Sequence, residues 1–392
     1  MNEALDRALD EATRSGRVAG VAAAVADDHR TLHERAAGVR QLGKPAPMTM
    51  DSVFWLASMT KPVTAVAVMQ LVEQGRLRLD APAAEVVPAL ARTQVLEGFG
   101  ADGQPILRPP RRAITLRMLL SHTSGFSYVF LNANLQRFKQ LTGQPDVVSG
   151  RKAMLEAPLV VDPGTRWEYG IGVDWAGQML EAVTGATLGE YLEEHVLGPL
   201  GMADTGFSLR PDMQARLAGI HVRLPDGTLA FHPVERPQPE FQGGGGDLFS
   251  TPRDYLRLLR MLLGGGTLDG VRILKQETVH EMGRNQIGEL MVLPTRSVIP
   301  PLWNAEARGL GLLPGTPSKY GLAFQINVEP TPQGRSAGSL AWAGLTNTYF
   351  WIDPTRRLTG VLMTQTLPFL DAGAVGCFEN FEAAAYQAFG RA

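Results

Sequence analysis

Leu5, Ala8, Leu9 and Ala12 recur at three- and four-residue spacing among charged positions, which predicts an amphipathic helix over the first sixteen residues. GVAAAVADDHRTLHERAAGVR then reads as two short strands around a polar turn at 27–30. Residues 58–76 lose their polar face almost entirely, so a buried helix is expected there, with Pro62 tolerated in its first turn. From 82 to 240 the pattern is mostly helices and long loops, including ITLRMLLSHTSGF and VDWAGQMLEAVTGATLGEYLEEHVLGPLGM.

The pattern changes again after 240. GGGGDLFSTPRDYLRLLRMLLGGG predicts a glycine-rich turn and then a helix capped by Ser250 or Thr251, with Pro252 at a permitted early position. KYGLAFQINVEP, SAGSLAWAGLTNTYFWIDP and RLTGVLMTQT read as strands, with turns at TPQGR and DPTRR, before a closing helix. Two strands at the start and at least three at the end imply one antiparallel sheet built from both chain ends, with a mainly helical region inserted.

Composition adds exclusions. At 392 residues, 44% hydrophobic and 19% charged, the chain is an ordinary globular sequence with room for two lobes. A net charge of -2 gives no electrostatic reason to expect nucleic acid or an anionic membrane as partner. The single Cys377 excludes an intramolecular disulfide and reads as a small buried residue. The N-terminus is charged and lacks the apolar core of a signal peptide, and no apolar run is long enough to span a bilayer, so a soluble cytoplasmic protein is expected.

Candidate chemistry begins at SMTK, Ser58 to Lys61. With 13 Ser and 6 Lys, chance supplies about 0.2 S-x-x-K matches, and the chain has a second, SGRK, Ser149 to Lys152. Ser149 lies between a turn-like TGQPD and KAMLEA and reads as a helix N-cap. Ser58 instead follows the apolar FWLA and precedes the buried helix, so it and Lys61 should meet in a partly desolvated place. An amine there gives up its proton more readily, and beside a hydroxyl it is a base beside a nucleophile. The helix N-terminus also offers N–H groups to a developing oxyanion. In DPGTRWEYGIG, Tyr169 falls at a loop-to-helix junction where its phenol can face a cleft. In SLAWAGLTN, Trp342, Ala343 and Gly344 fall on a strand whose glycine would let backbone approach a ligand.

Together these segments resemble the serine β-lactamase-like superfamily, on its class C β-lactamase and penicillin-binding-protein branch, and within it the family VIII carboxylesterases. The resemblance runs from about Val18 to the final helix. It implies a β-lactamase-like α/β (α+β) fold, an antiparallel sheet flanked by helices. Residues 1–57 and 240–392 would form the α/β domain and 58–239 the mainly helical one, with the active site in the cleft between them. It makes Ser58 the acylated nucleophile, Lys61 its hydrogen-bonded partner and Tyr169 the tyrosine of the second motif. The oxyanion hole falls at the backbone N–H groups of Ser58 and Leu345. Tyr128, Trp342, Ala343 and Gly344 become substrate-binding positions.

Two departures bear on substrate. YGI puts Ile171 where β-lactamases carry an asparagine, and WAG puts Trp342 where K-T-G has a cation. Both exchange a polar anchor for apolar surface and favour a neutral ester over an anionic lactam. The implied activity is hydrolysis of short-chain carboxylic esters through an acyl-enzyme, with weak cephalosporin cleavage. The alternatives are an acyltransferase, since VLEGFGADGQPILRPPRRAITLRMLLSHTSGFSYVF resembles the fungal statin-side-chain acyltransferases, a β-lactamase or D,D-peptidase, and a non-catalytic binding protein. A Lys cation beside Tyr169 would lower the phenol's ordinary pKa of about 10.

The remaining candidates read as structural. His122 lacks the nucleophile elbow a Ser-His-Asp triad needs, since no G-x-S-x-G occurs, and is expected to hydrogen-bond within its loop. Asp174 reads as a buried cap or loop anchor. GGGGD at 243–247 is not followed by G-K-[ST] and reads as backbone packing near the cleft. The seven His have no ligand spacing, so neither metal nor cofactor is expected. The expected partner is a small-molecule ester, without nucleic acid or membrane.

Overall fold

The computed structural model describes residues 2–234, 238–292, 297–299 and 317–390. Its N-terminal helix α1 (Glu3–Arg14) buries Leu5, Leu9 and Ala12, and strands β1 (Gly20–Ala26) and β2 (Thr31–Gly38) follow around the expected turn. Near the other end lie α4 (Pro252–Leu263), β3 (Ser318–Tyr320), β4 (Gln325–Asn327), β5 (Leu340–Gly344), β6 (Thr348–Asp353), β7 (Leu358–Met363) and α5 (Ala372–Phe389). Between them run α2 (Thr60–Glu73) and α3 (Gly172–Thr184), with short helices and long loops.

The seven strands make one antiparallel sheet in the order β3-β4-β5-β6-β7-β1-β2, closed across the chain ends where Ala24 faces Val361. Successive side chains of β6 point to opposite faces, and both faces are covered. Tyr349 and Trp351 meet Phe378 of α5 at 4.6 and 5.9 Å between ring centroids, whereas Phe350 meets Tyr255 of α4 at 5.6 Å. With helices on both sides, β1, β6 and β7 are buried throughout, which is why their sequences read as continuous apolar runs. Arg335 and Glu382 form a fully buried ion pair that ties α5 to the sheet's connections. Cys377 is buried on α5, and burial pushes its thiol up to about 12.

α2 is buried from Thr60 through Met69, packed against α3 and the short helices around it. It starts two residues later than the sequence suggests, since Ala57–Met59 form a 3₁₀ turn ahead of it. Two small pairings add to this, the first joining the two ends of the chain and the second knitting the inserted region to the sheet-bearing part. Phe54–Trp55 pairs with Phe249–Ser250, and Thr366–Leu367 pairs with His221–Arg223, which in turn pairs with Leu229–Phe231. Thr251 is the cap of α4, accepting the Asp254 N–H, with Pro252 just inside. Among the described residues no helix is long and apolar enough to cross a membrane.

Candidate active site

Ser58 sits in the 3₁₀ turn before α2, and the backbone leading to it is pinned from several sides. The Leu56 N–H donates to Leu248 O at 2.9 Å, the Gln365 side-chain amide donates to Trp55 O at 3.0 Å, and the Trp55 indole donates to Gly246 O at 2.7 Å. Ala57, directly before the serine, is held at φ +45°, a conformation that costs a residue with a Cβ about 1–3 kcal/mol. The end of β5 passes against this turn, and a Cβ on Gly344 would meet Leu56 O at 2.2 Å. Gly344 is therefore needed for close approach to its own chain rather than to a ligand, and it does not line the cavity. Its neighbours Trp342, Ala343 and Leu345 do, together with Ser58.

Lys61 is fully buried in the first turn of α2, where the i, i+3 spacing directs it back toward Ser58. Its Nζ reaches three acceptors: Ser58 Oγ at 3.1 Å, Tyr128 Oη at 3.0 Å and Gly245 O at 2.7 Å. Three acceptors match the three donors of an ammonium group. On the other side of the serine, Tyr169 Oη lies 2.6 Å from Ser58 Oγ, and Lys61 Nζ lies 4.8 Å from the centre of the Tyr169 ring. Tyr128, expected only to line the pocket, is thus in direct contact with the lysine, and burial holds its phenol well above the ordinary pKa, in the neutral form.

The glycine run supplies backbone to the same place. Gly244, Gly245 and Gly246 each turn a carbonyl to a side chain, accepting from Thr64, Lys61 and Trp55 at 2.8, 2.7 and 2.7 Å. Asp174, in the first turn of α3, accepts the Gly245 N–H at 2.8 Å and so fixes the residue whose carbonyl meets Lys61. A Cβ on Gly245 would come within 2.5 Å of the Asp174 carboxylate. Burial raises Asp174 to about 6, with the Lys61 charge pulling the other way. It is a loop anchor, as expected, and it also lines the cavity.

Other expectations need correction. Ile171 is 3% exposed, packed in the core, and contributes no cavity surface, so only Trp342 substitutes apolar surface for a polar anchor. Trp342 packs edge-on to Tyr169 and Tyr320 at 5.2 Å. His122 bonds to a neighbouring loop rather than its own, its carbonyl accepting from the Glu168 N–H at 2.7 Å and its Nδ1 from the Gly170 N–H at 3.5 Å. Ser149 ends a short 3₁₀ turn and donates to Asp146 O at 2.6 Å, while the cap of the next turn is Arg151.

The cavity above Ser58 measures about 940 Å³, near the upper end for sites that enclose a drug-sized ligand. Phe130, Met154, Phe207, Phe241 and Phe369 lie along its wall, and Arg40 and Lys44 also line it. The direct bond from Tyr128 to Lys61, the Gly245 carbonyl and the size of the cavity escaped the sequence reading. Only the GGGGD run carried any signal, as a place where backbone replaces side chains.

The profile of the Beta-lactamase family matches residues 5–376. A lovastatin esterase of Penicillium rubens is 34% identical over 369 residues, covering 91% of this chain and 91% of that protein. A monacolin J acid methylbutanoyltransferase of Aspergillus terreus is 33% identical over 406 residues, covering 97% and 95%. The unliganded simvastatin synthase of Aspergillus terreus superposes with a TM-score of 0.85 at 30% identity, covering 100% of this chain and 99% of that one.

Proposed function

The chain belongs to the beta-lactamase family, and on that footing we propose that it forms an acyl-enzyme on Ser58 from a carboxylic ester and passes the acyl group to water or an alcohol. The observation that carries this reading is Ser58 Oγ held between Lys61 Nζ at 3.1 Å and Tyr169 Oη at 2.6 Å, at the floor of a large cavity with much apolar wall.

In the first step Ser58 Oγ attacks the ester carbonyl carbon and its proton moves to Tyr169, which enters the step as the phenolate and becomes the neutral phenol. Lys61, with an acceptor for each of the three donors of an ammonium group, stabilises that phenolate until it takes the proton. The oxyanion forms between the backbone N–H groups of Ser58 and Leu345. The carbon–oxygen bond then breaks, and the alcohol leaves with the proton from Tyr169. Water or a second alcohol attacks the acyl-enzyme by the reverse proton route, and Ser58 is released. Ser58, Lys61, Tyr128 and Tyr169 stand on the 58–239 side of the cleft and Gly245, Trp342 and Leu345 on the other. We take 58–239 and 1–57 with 240–392 as the two domains that form its walls.

The cavity sharpens the substrate. A short ester fills little of 940 Å³, so the short chain belongs to the transferred acyl group and the bulk to the alcohol portion. The relatives named as a lovastatin esterase and as a methylbutanoyltransferase of monacolin J acid support both hydrolysis and transfer, and a short branched acyl group. Trp342, where a cation would bind a β-lactam carboxylate, argues against lactams as the main substrate. The test is a series of p-nitrophenyl esters from acetate to decanoate, run with nitrocefin and with and without an added apolar alcohol, on wild type and Ser58→Ala. Ester turnover that persists in Ser58→Ala, or nitrocefin turnover matching ester turnover, ends the proposal.

A further inference from the structure

A second buried ring packs against Tyr169, and the proposed reaction does not use it. The His122 ring, 1% exposed, stands edge-on to the Tyr169 ring with centroids 4.6 Å apart. His122 also grips the chain on both sides of the tyrosine: its carbonyl accepts the Glu168 N–H at 2.7 Å, and its Nδ1 accepts the Gly170 N–H at 3.5 Å. It does so from φ +57°, a left-handed conformation uncommon outside glycine. Among the described residues its Nε2 is buried without a hydrogen-bond partner, beside Trp167 and Tyr320, whose indole N–H and hydroxyl likewise have none there. Strained backbone and an unpartnered buried nitrogen both destabilise, and here they fall on one residue. What that residue touches on three sides is Tyr169 and its two peptides.

We propose that His122 is a positioning residue that holds the Tyr169 phenol at hydrogen-bond distance from Ser58 Oγ. It takes no proton in the reaction. Burial, with the Lys61 charge, keeps the imidazole well below its ordinary pKa and neutral, and an Nδ1 that accepts leaves the ring proton on Nε2. The kinetic part of the test rests on the acyl-enzyme reading above; the structural part does not.

Two variants separate the ring from the backbone. His122→Gly keeps the left-handed conformation without a side chain, and His122→Asn keeps it with a side-chain acceptor. Crystal structures of both and of the wild type give the Tyr169 Oη to Ser58 Oγ separation, and kcat and KM are read on p-nitrophenyl butyrate. In His122→Gly the 2.6 Å contact should open beyond hydrogen-bond distance, with kcat down about 100-fold and KM within about threefold. His122→Asn should recover about tenfold of that loss. A contact still at 2.6 Å with wild-type kcat in His122→Gly overturns the proposal, as does an equal loss in both variants with KM rising in step. Should His122→Gly not fold, His122→Asn decides alone: a contact lengthened from 2.6 Å with kcat down about tenfold and KM within about threefold supports the proposal, and a contact still at 2.6 Å with wild-type kcat overturns it. A wild type that turns over no ester defeats the acyl-enzyme reading, while the separations still decide the role of His122.

Discussion

Ser58 and Lys61 stand three residues apart, as do Ser149 and Lys152, but the first pair closes to 3.1 Å inside the protein while the second never forms. Ser149 turns its hydroxyl to Asp146 O at 2.6 Å, and Lys152 is exposed. The difference comes from what each lysine can reach. Lys61 lies on a helix buried from its first turn and finds Tyr128 and the Gly245 carbonyl as further acceptors, so its burial is compensated. Lys152 begins a short turn that buries Met154 and Leu155 but leaves the lysine itself exposed, where water serves better. Spacing permits such a pair, and burial with enough acceptors enforces it.

The comparison is tested most severely at the serines. Ser58→Ala should lower p-nitrophenyl butyrate turnover by about 10⁴-fold or more and abolish the mass increase produced by a fluorophosphonate, whereas Ser149→Ala should leave both unchanged. Next come the lysines. Lys61→Met should reduce turnover about 10³-fold with the fold intact by circular dichroism, and Lys152→Met should stay within about twofold; a comparable loss in both would erase the distinction.

The third prediction concerns the anchor beneath Lys61 and is read from stability. Asp174 has its folded pKa raised from 3.8 to about 6, so its carboxyl favours folding below pH 3.8, and that contribution is lost as pH rises through about 6. The shift corresponds to about 3 kcal/mol, an order-of-magnitude figure. Asp174→Asn cannot ionise, and its stability relative to wild type in urea titrations should therefore rise between pH 4 and pH 7. A difference that stays flat across that range would show that Asp174 is not destabilised by ionising.

The smallest effect is expected at Gly245→Ala. The new Cβ would press on the Asp174 carboxylate and shift the carbonyl that Lys61 uses, at about 1–3 kcal/mol of stability and about tenfold in kcat. At the Ser149 site the Gly150 carbonyl accepts the Glu240 N–H at 2.8 Å and no lysine, so Gly150→Ala should cost stability through its φ of +66° but leave kcat as it is.

Much of this architecture was legible in advance. The 3.6-residue stripe of α1, the turn at 27–30 and the strand runs after 317 are local patterns, and they were enough to bring both chain ends into one sheet. Ser58, Lys61 and Tyr169 were legible because motif order and spacing carry them. Ile171 and Gly344 were misread for one reason: a sequence position says what a residue is but not which way it faces. Ile171 faces the core, and Gly344 faces the Leu56 carbonyl.

The sequence by itself determined the elements and their joining into one sheet, because periodicity is a property of neighbours along the chain, and through the resemblance its motifs carry it pointed to three side chains of the candidate site. Only the tertiary structure decided that Tyr128 and the Gly245 carbonyl complete the shell around Lys61, that His122 grips Tyr169 from both sides, and that the cavity is large. Those contacts join residues from 46 to 184 positions apart, and backbone carbonyls carry no side-chain signature from which such a meeting could be read.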